Sequence, residues 1–269
     1  MLSDKSATRA CGQGNAIVRH VWRLAMLGCL MLAAAHEGRA AGAACPPAAP
    51  RHLILPATRA AVSDGRPVVI VAFGSSSTEG AGASAPGRAY PARLEALLRA
   101  HWPGVALTLL NRGAGGQTID AMLARLDRDV LALHPALVIW QAGANEALRG
   151  ADPERFGALL DEGVRRIVAA GGDVVLMDNQ IAPKLPAWES QGVYGAILAG
   201  EATARSVSLF SRTALMREWG MADPPAEGMI GTDGLHHTDR GYDCLAASLG
   251  AAITAAVPEH AVARATARK

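Results

Sequence analysis

The chain has 269 residues, half of them hydrophobic, with 4% aromatic and 19% charged residues and a formal net charge of +2. That length supports one α/β domain with a sizeable core. Its basic excess lies in the first 40 residues, where Lys5, Arg9, Arg19, Arg23 and Arg39 outnumber Asp4 and Glu37; the near-neutral remainder lacks a basic stripe interleaved with aromatics, which argues against nucleic acid as a partner.

Residues 1–40 read as an export signal. Arg19, His20 and Arg23 precede an apolar run, 24–35, that is short for a membrane span. Gly38-Arg39-Ala40 and Gly42-Ala43-Ala44 both suit small-x-small cleavage. The expected location is therefore periplasmic or secreted. The alternative is an uncleaved N-terminal anchor, which would be the chain's only membrane contact. Cleavage would remove Cys11 and Cys29 and leave Cys45 and Cys244, which either pair in an oxidising compartment or remain two thiols.

Residues 41–62, rich in Ala and Pro, read as a flexible leader. From there to residue 257 the pattern alternates. Short apolar runs at 68–73, 105–110, 136–140, 174–177 and 207–210 suit strands buried on both faces of a parallel sheet. Between them lie amphipathic helices: 91–100 with Leu94, Leu97 and Leu98 on one face, 119–133 with Met122, Leu126 and Val130, and one opened by Pro153. A last helix is expected over 239–256, and a polar tail over 258–269. Alternating strand and helix implies a single three-layer αβα domain over 63–257, with right-handed crossovers around five parallel strands.

Open sheets of this class bind ligands outside the carboxyl ends of the strands. Four polar blocks fall there, after the first, second, third and fifth strands. They read Gly74-Ser75-Ser76-Ser77-Thr78-Glu79-Gly80, Asn111-Arg112-Gly113-Ala114-Gly115-Gly116-Gln117-Thr118, Gly143-Ala144-Asn145-Glu146, and Asp233-Gly234-Leu235-His236-His237-Thr238-Asp239. A serine hydroxyl attacks only when a neighbouring base takes its proton; the first block offers three serines and the fourth two histidines, so chemistry alone leaves both choices open. Taken singly, each block also suits a bland role: a helix-capping turn, a glycine-rich connection, a capping asparagine. Asp233, His236, His237 and Asp239 could also hold a metal, although no second histidine cluster completes such a site.

In order and spacing the four blocks resemble the SGNH (GDSL) hydrolase family. That resemblance covers nearly the whole folded region and implies a flavodoxin-like five-stranded sheet and hydrolysis of esters or thioesters without metal or other cofactor. It places the nucleophile at Ser76, with His236 as base and Asp233 as its orienting acid. The oxyanion hole falls to Gly116, Asn145 and the Ser76 amide. Two letters depart from the family pattern: Ser75 stands where aspartate is usual, and Glu146 replaces another aspartate. The expected substrate is a small-molecule or glycan ester. A carbohydrate O-acetylesterase, an acyltransferase on envelope glycans, and a non-catalytic binding protein retaining the fold are the alternatives. Trp188 and Tyr194, in a stretch expected to shape the substrate site over 181–200, are candidate substrate contacts.

Overall fold

A computed structural model describes residues 44–185, 188–220 and 228–258, with side chains left undescribed over 186–191. The expected export segment and the tail beyond 258 lie outside the described residues. In chain order the elements are α1 (Pro56–Ser63), β1 (Val68–Gly74), α2 (Ser76–Glu79), α3 (Tyr90–His101), β2 (Leu107–Gly113), α4 (Ile119–Ala124), α5 (Leu126–Asp129), β3 (Leu137–Gln141), α6 (Ala144–Arg149), α7 (Pro153–Ala169), β4 (Asp173–Met177), α8 (Trp188–Ala204), β5 (Ser208–Phe210), α9 (Arg212–Glu218) and α10 (Asp239–Ala256).

The five strands are parallel, in the order β2-β1-β3-β4-β5. Because side chains alternate along a strand, each strand feeds two cores. Ile70, Ala72, Leu137, Ile139, Val175 and Met177 pack with α1, α3, α9 and α10. Val71, Phe73, Val138, Trp140, Val174 and Leu176 pack with α4, α7 and α8 on the other face. The three layers expected from the sequence are thus present. Strand order reverses at β1, so the position where sheets of this class take their ligands lies where β1 and β3 end side by side.

Local chemistry sets the helix ends. Asp152 accepts the Glu154 amide and Pro153 follows it, which starts α7; Thr238 accepts the Gly241 amide at the start of α10. The single helix expected over 119–133 is instead broken at Arg125. There the backbone leaves helical geometry and the guanidinium turns inward over the Phe73 ring, 4.4 Å from its centroid. It donates to the carbonyls of Gly74 and Arg112, each at 2.9 Å, where β1 and β2 end. Satisfying two strand-end acceptors with one buried cation outweighs helix continuity.

The leader is also more ordered than expected. Leu53 and Leu55 are buried, α1 packs beneath the sheet, and the Asp173 carboxylate accepts the Ala57 and Thr58 amides. Cys45 is disulfide-bonded to Cys244 on α10. The 181–200 stretch, expected as an insertion, is largely the crossover helix α8. Among the described residues, no helix is long and apolar enough to cross a membrane.

Candidate active site

β1 stops at Gly74, Ser75 turns out of the strand, and Ser76 is the first residue of α2. Gln141, the last residue of β3 and fully buried, holds this turn. Its Oε1 accepts the Ser75 amide at 3.1 Å, the Ser75 hydroxyl at 3.0 Å and the Thr78 hydroxyl at 3.3 Å. A hydroxyl at position 75 suits this acceptor; the family's aspartate would set a carboxylate against an amide oxygen. Gln141 escaped the sequence reading, although a polar residue closing the run Leu137-Val138-Ile139-Trp140 was a visible signal.

Ser76 and His236, 160 residues apart in the chain, meet over this edge, with Oγ 2.8 Å from Nε2. On the other side of the ring, Nδ1 lies 2.6 Å from Asp233 Oδ2. Asp233 Oδ1 accepts the Leu235 amide at 2.9 Å and the His236 amide at 3.0 Å. Burial alone would raise the Asp233 carboxyl, but the Leu235 amide and the His236 ring and amide outweigh it and hold the group down at about 2. An ionised carboxylate can only accept, so His236 carries its proton on Nδ1 and presents the Nε2 lone pair to the Ser76 hydroxyl.

His237 goes elsewhere. It is fully buried, edge-on to Tyr242, with Nδ1 donating to the Met229 carbonyl at 3.2 Å. Burial, assisted by the nearby Arg212 charge, pulls its pKa down to about 3, so it stays neutral beneath the site. Asp239 also turns away, accepting from Ser84 and Arg88. The four residues behind the metal alternative therefore do not converge, and no group of three or more possible ligands forms among the described residues.

The 80–89 loop backs His236. Tyr242 donates to the Ala81 carbonyl at 2.6 Å, and the Ser84–Asp239 contacts anchor the loop tip. Gly82 sits against His236 at φ +88°; a β-carbon there would fall 2.5 Å from the His237 carbonyl oxygen and 2.9 Å from His236 Cβ.

The second and third blocks face one another. Gly116, at φ +71°, accepts at its carbonyl from Arg149 at 2.7 Å. Asn145 gives one amide hydrogen to the Gln117 carbonyl at 2.9 Å, and its Nδ2 carries a second. Glu146 is buried; Oε2 accepts the Gly143 amide at 3.2 Å and Oε1 the Ile119 amide. Burial raises the Glu146 carboxyl despite those amides and the Arg149 charge.

Tyr194 does not line the site. It is buried, edge-on to Phe156, and donates to the Ala151 carbonyl; its bulk and its hydroxyl find partners inside, which corrects the expected substrate contact. The Trp188 side chain lies outside the described residues.

Comparison with known proteins finds one family and several similar chains. A family model described as "Non-GDSL lipase-like family" matches residues 43–259. Esterase TesA of Pseudomonas aeruginosa is 29% identical over 136 residues, which is 49% of this chain and 63% of the relative. An arylesterase of Vibrio mimicus is 31% identical over 96 residues, 36% of this chain and 47% of the relative. The chain thus matches less than two thirds of the length of either. Among solved structures, the lipase/acylhydrolase from Enterococcus faecalis superposes with a TM-score of 0.61 at 23% identity, over 70% of this chain and 96% of that one.

Proposed function

The chain belongs to the Non-GDSL lipase-like family, and on that footing we propose that it is an exported serine hydrolase of carboxylic esters. The observation that carries this reading is the unbroken relay from Ser76 Oγ through His236 to Asp233, at 2.8 Å and 2.6 Å.

In the first half-reaction Ser76 Oγ attacks the acyl carbonyl while His236 Nε2 takes its proton. Ionised Asp233 stabilises the imidazolium formed and keeps the ring oriented. The second Asn145 amide hydrogen, with the Gly116 and Ser76 amides, receives the negative charge on the tetrahedral oxygen. Collapse expels the alkoxide, which leaves with the proton from His236. A water then enters, gives its proton to His236, attacks the acyl-serine and releases the acid and free Ser76.

The departures that left room for a non-catalytic protein both have partners here: Ser75 with Gln141 and Glu146 with Gly143 and Ile119. Export is supported by the charged and apolar pattern of residues 1–40 and by the Cys45–Cys244 bond, which requires an oxidising compartment to persist. With Tyr194 inside, one of the two candidate substrate contacts is withdrawn, and acetylated glycans enter as one arm of the assay.

The test is turnover of short-chain p-nitrophenyl esters and acetylated xylan by the mature domain and its Ser76→Ala variant. The reading expects turnover by the parent and none by the variant, with its melting temperature unchanged. Turnover retained by a folded Ser76→Ala protein overturns it.

A further inference from the structure

An oxyanion hole works only if its donors are already fixed where charge will develop. The 113–118 loop is poorly suited to hold itself. It contains Gly113, Gly115 and Gly116, both Gly115 and Gly116 are exposed, and glycine backbone is conformationally free. What holds it comes largely from α6. Three side chains of that helix reach across and take successive groups of the loop: Arg149 the Gly116 carbonyl at 2.7 Å, Asn145 the Gln117 carbonyl at 2.9 Å, and Glu146 the Ile119 amide. The other Glu146 oxygen accepts the Gly143 amide at 3.2 Å, at the turn that delivers Asn145. Near its ends the loop is also tied by Gly113 N to Asn111 Oδ1 at 2.9 Å, by Ala114 N to the Gly74 carbonyl and Met122 N to the Thr118 carbonyl, each at 3.0 Å, and by Arg125 to the Gln117 side chain at 2.5 Å.

The chemistry of the two gripping residues fits the task. Glu146 is an acceptor on both oxygens, so one buried carboxylate ties a backbone amide of each donor segment to the other. Arg149 contributes a charge-assisted donor to a carbonyl within the loop. Because a trans peptide is planar, fixing the Gly116 oxygen fixes the 116–117 peptide plane and limits rotation next to the Gly116 amide. Asn145 itself is held by the loop it faces, so the grip is mutual.

We propose that Glu146 and Arg149 are positioning residues for the oxyanion hole, which lock the Gly116 segment and the Asn145 segment into one rigid body. This rests on the esterase reading above and deepens it: the glutamate at position 146 then acts as a two-sided tie between donor segments.

The test uses Arg149→Met, Arg149→Lys, Glu146→Gln and, as control, the exposed Arg155→Met on α7, with p-nitrophenyl acetate and the corresponding thionoester. Sulfur is a poor hydrogen-bond acceptor, so preference for oxygen over sulfur reports the quality of the oxyanion donors. Glu146→Gln is expected to lower kcat about 10²-fold, as for an error of about 1 Å in a reacting group, with KM changed less than roughly threefold. Arg149→Met should lower kcat about tenfold, and Arg149→Lys, which retains a charged donor, should recover most of that. The preference for ester over thionoester should fall in parallel, and Arg155→Met should match the parent.

If Glu146→Gln does not fold, the exposed Arg149 pair carries the test alone. Parental kcat in Arg149→Met overturns the proposal. So does a loss of kcat that merely follows the folded fraction while the ester preference stays intact. A parent protein with no ester turnover overturns the esterase reading, and this inference falls with it.

Discussion

Gly82→Ala is the sharpest perturbation of the relay that leaves every relay residue in place. The new methyl would begin 2.9 Å from His236 Cβ and 2.5 Å from the His237 carbonyl oxygen. Carbon atoms in contact rest about 3.5–4.0 Å apart, so His236 must withdraw by roughly 0.6–1 Å if the loop stays where Tyr242 and Asp239 hold it. The Nε2–Oγ distance, now 2.8 Å, would then exceed the working reach of a general base, about 3.2 Å. Misplacement on that scale costs about 10²-fold in kcat. At φ +88°, alanine also pays backbone strain of about 1–2 kcal/mol, or roughly 2–8 °C in Tm for a domain of this size. Gly87, on the same loop, leaves open space where a methyl would go, with nothing within 4 Å of it, so Gly87→Ala is the matched control. The assay is kcat and KM on p-nitrophenyl acetate beside a thermal melt. A Gly82→Ala protein with kcat within twofold of Gly87→Ala would refute the packing argument.

Two further outcomes concern stability. The Cys45–Cys244 bond closes a loop of 199 residues, for which a stabilisation of about 2–4 kcal/mol is typical. Replacing both cysteines by serine should therefore lower Tm by roughly 4–16 °C; an unchanged melt, or two titratable thiols in the protein purified without reductant, would contradict it. His237 binds a proton at about 6.5 when unfolded but only near about 3 in the folded protein. The unfolded state therefore holds more protons between those limits: stability is full above about 6.5 and falls as pH drops toward about 3, by up to about 1.4 kcal/mol per pH unit. His237→Phe should flatten that slope in urea titrations from pH 7 to 4, and identical slopes for the two proteins would sink the assignment.

The strands were legible because buried parallel strands leave uninterrupted apolar runs, and each run from Val68 to Phe210 marks a strand in the structure. The blocks at the strand ends were legible through their order. What the sequence hid were residues whose partners lie far along the chain. Arg125 occupies a helical spacing yet serves the ends of β1 and β2. Tyr194 sat in a stretch that looked like an insertion, but its helix packs Phe156 beneath it. The leader hid its buried part because Leu53, Leu55 and Thr58 are scattered among Ala and Pro, with no period to reveal them. Ser75 and Glu146 looked like flaws in a motif; Gln141 and Ile119, which accommodate them, lie 66 and 27 residues away.

The relay itself is tested most directly by covalent labelling. The purified protein is treated with a fluorophosphonate, digested, and mapped by mass spectrometry, in parent and His236→Gln forms. The account predicts a single adduct on Ser76 in the parent and a labelling rate lower by about 10² or more in the variant. An adduct on Ser75 or Ser77, or equal labelling without the imidazole, would contradict it.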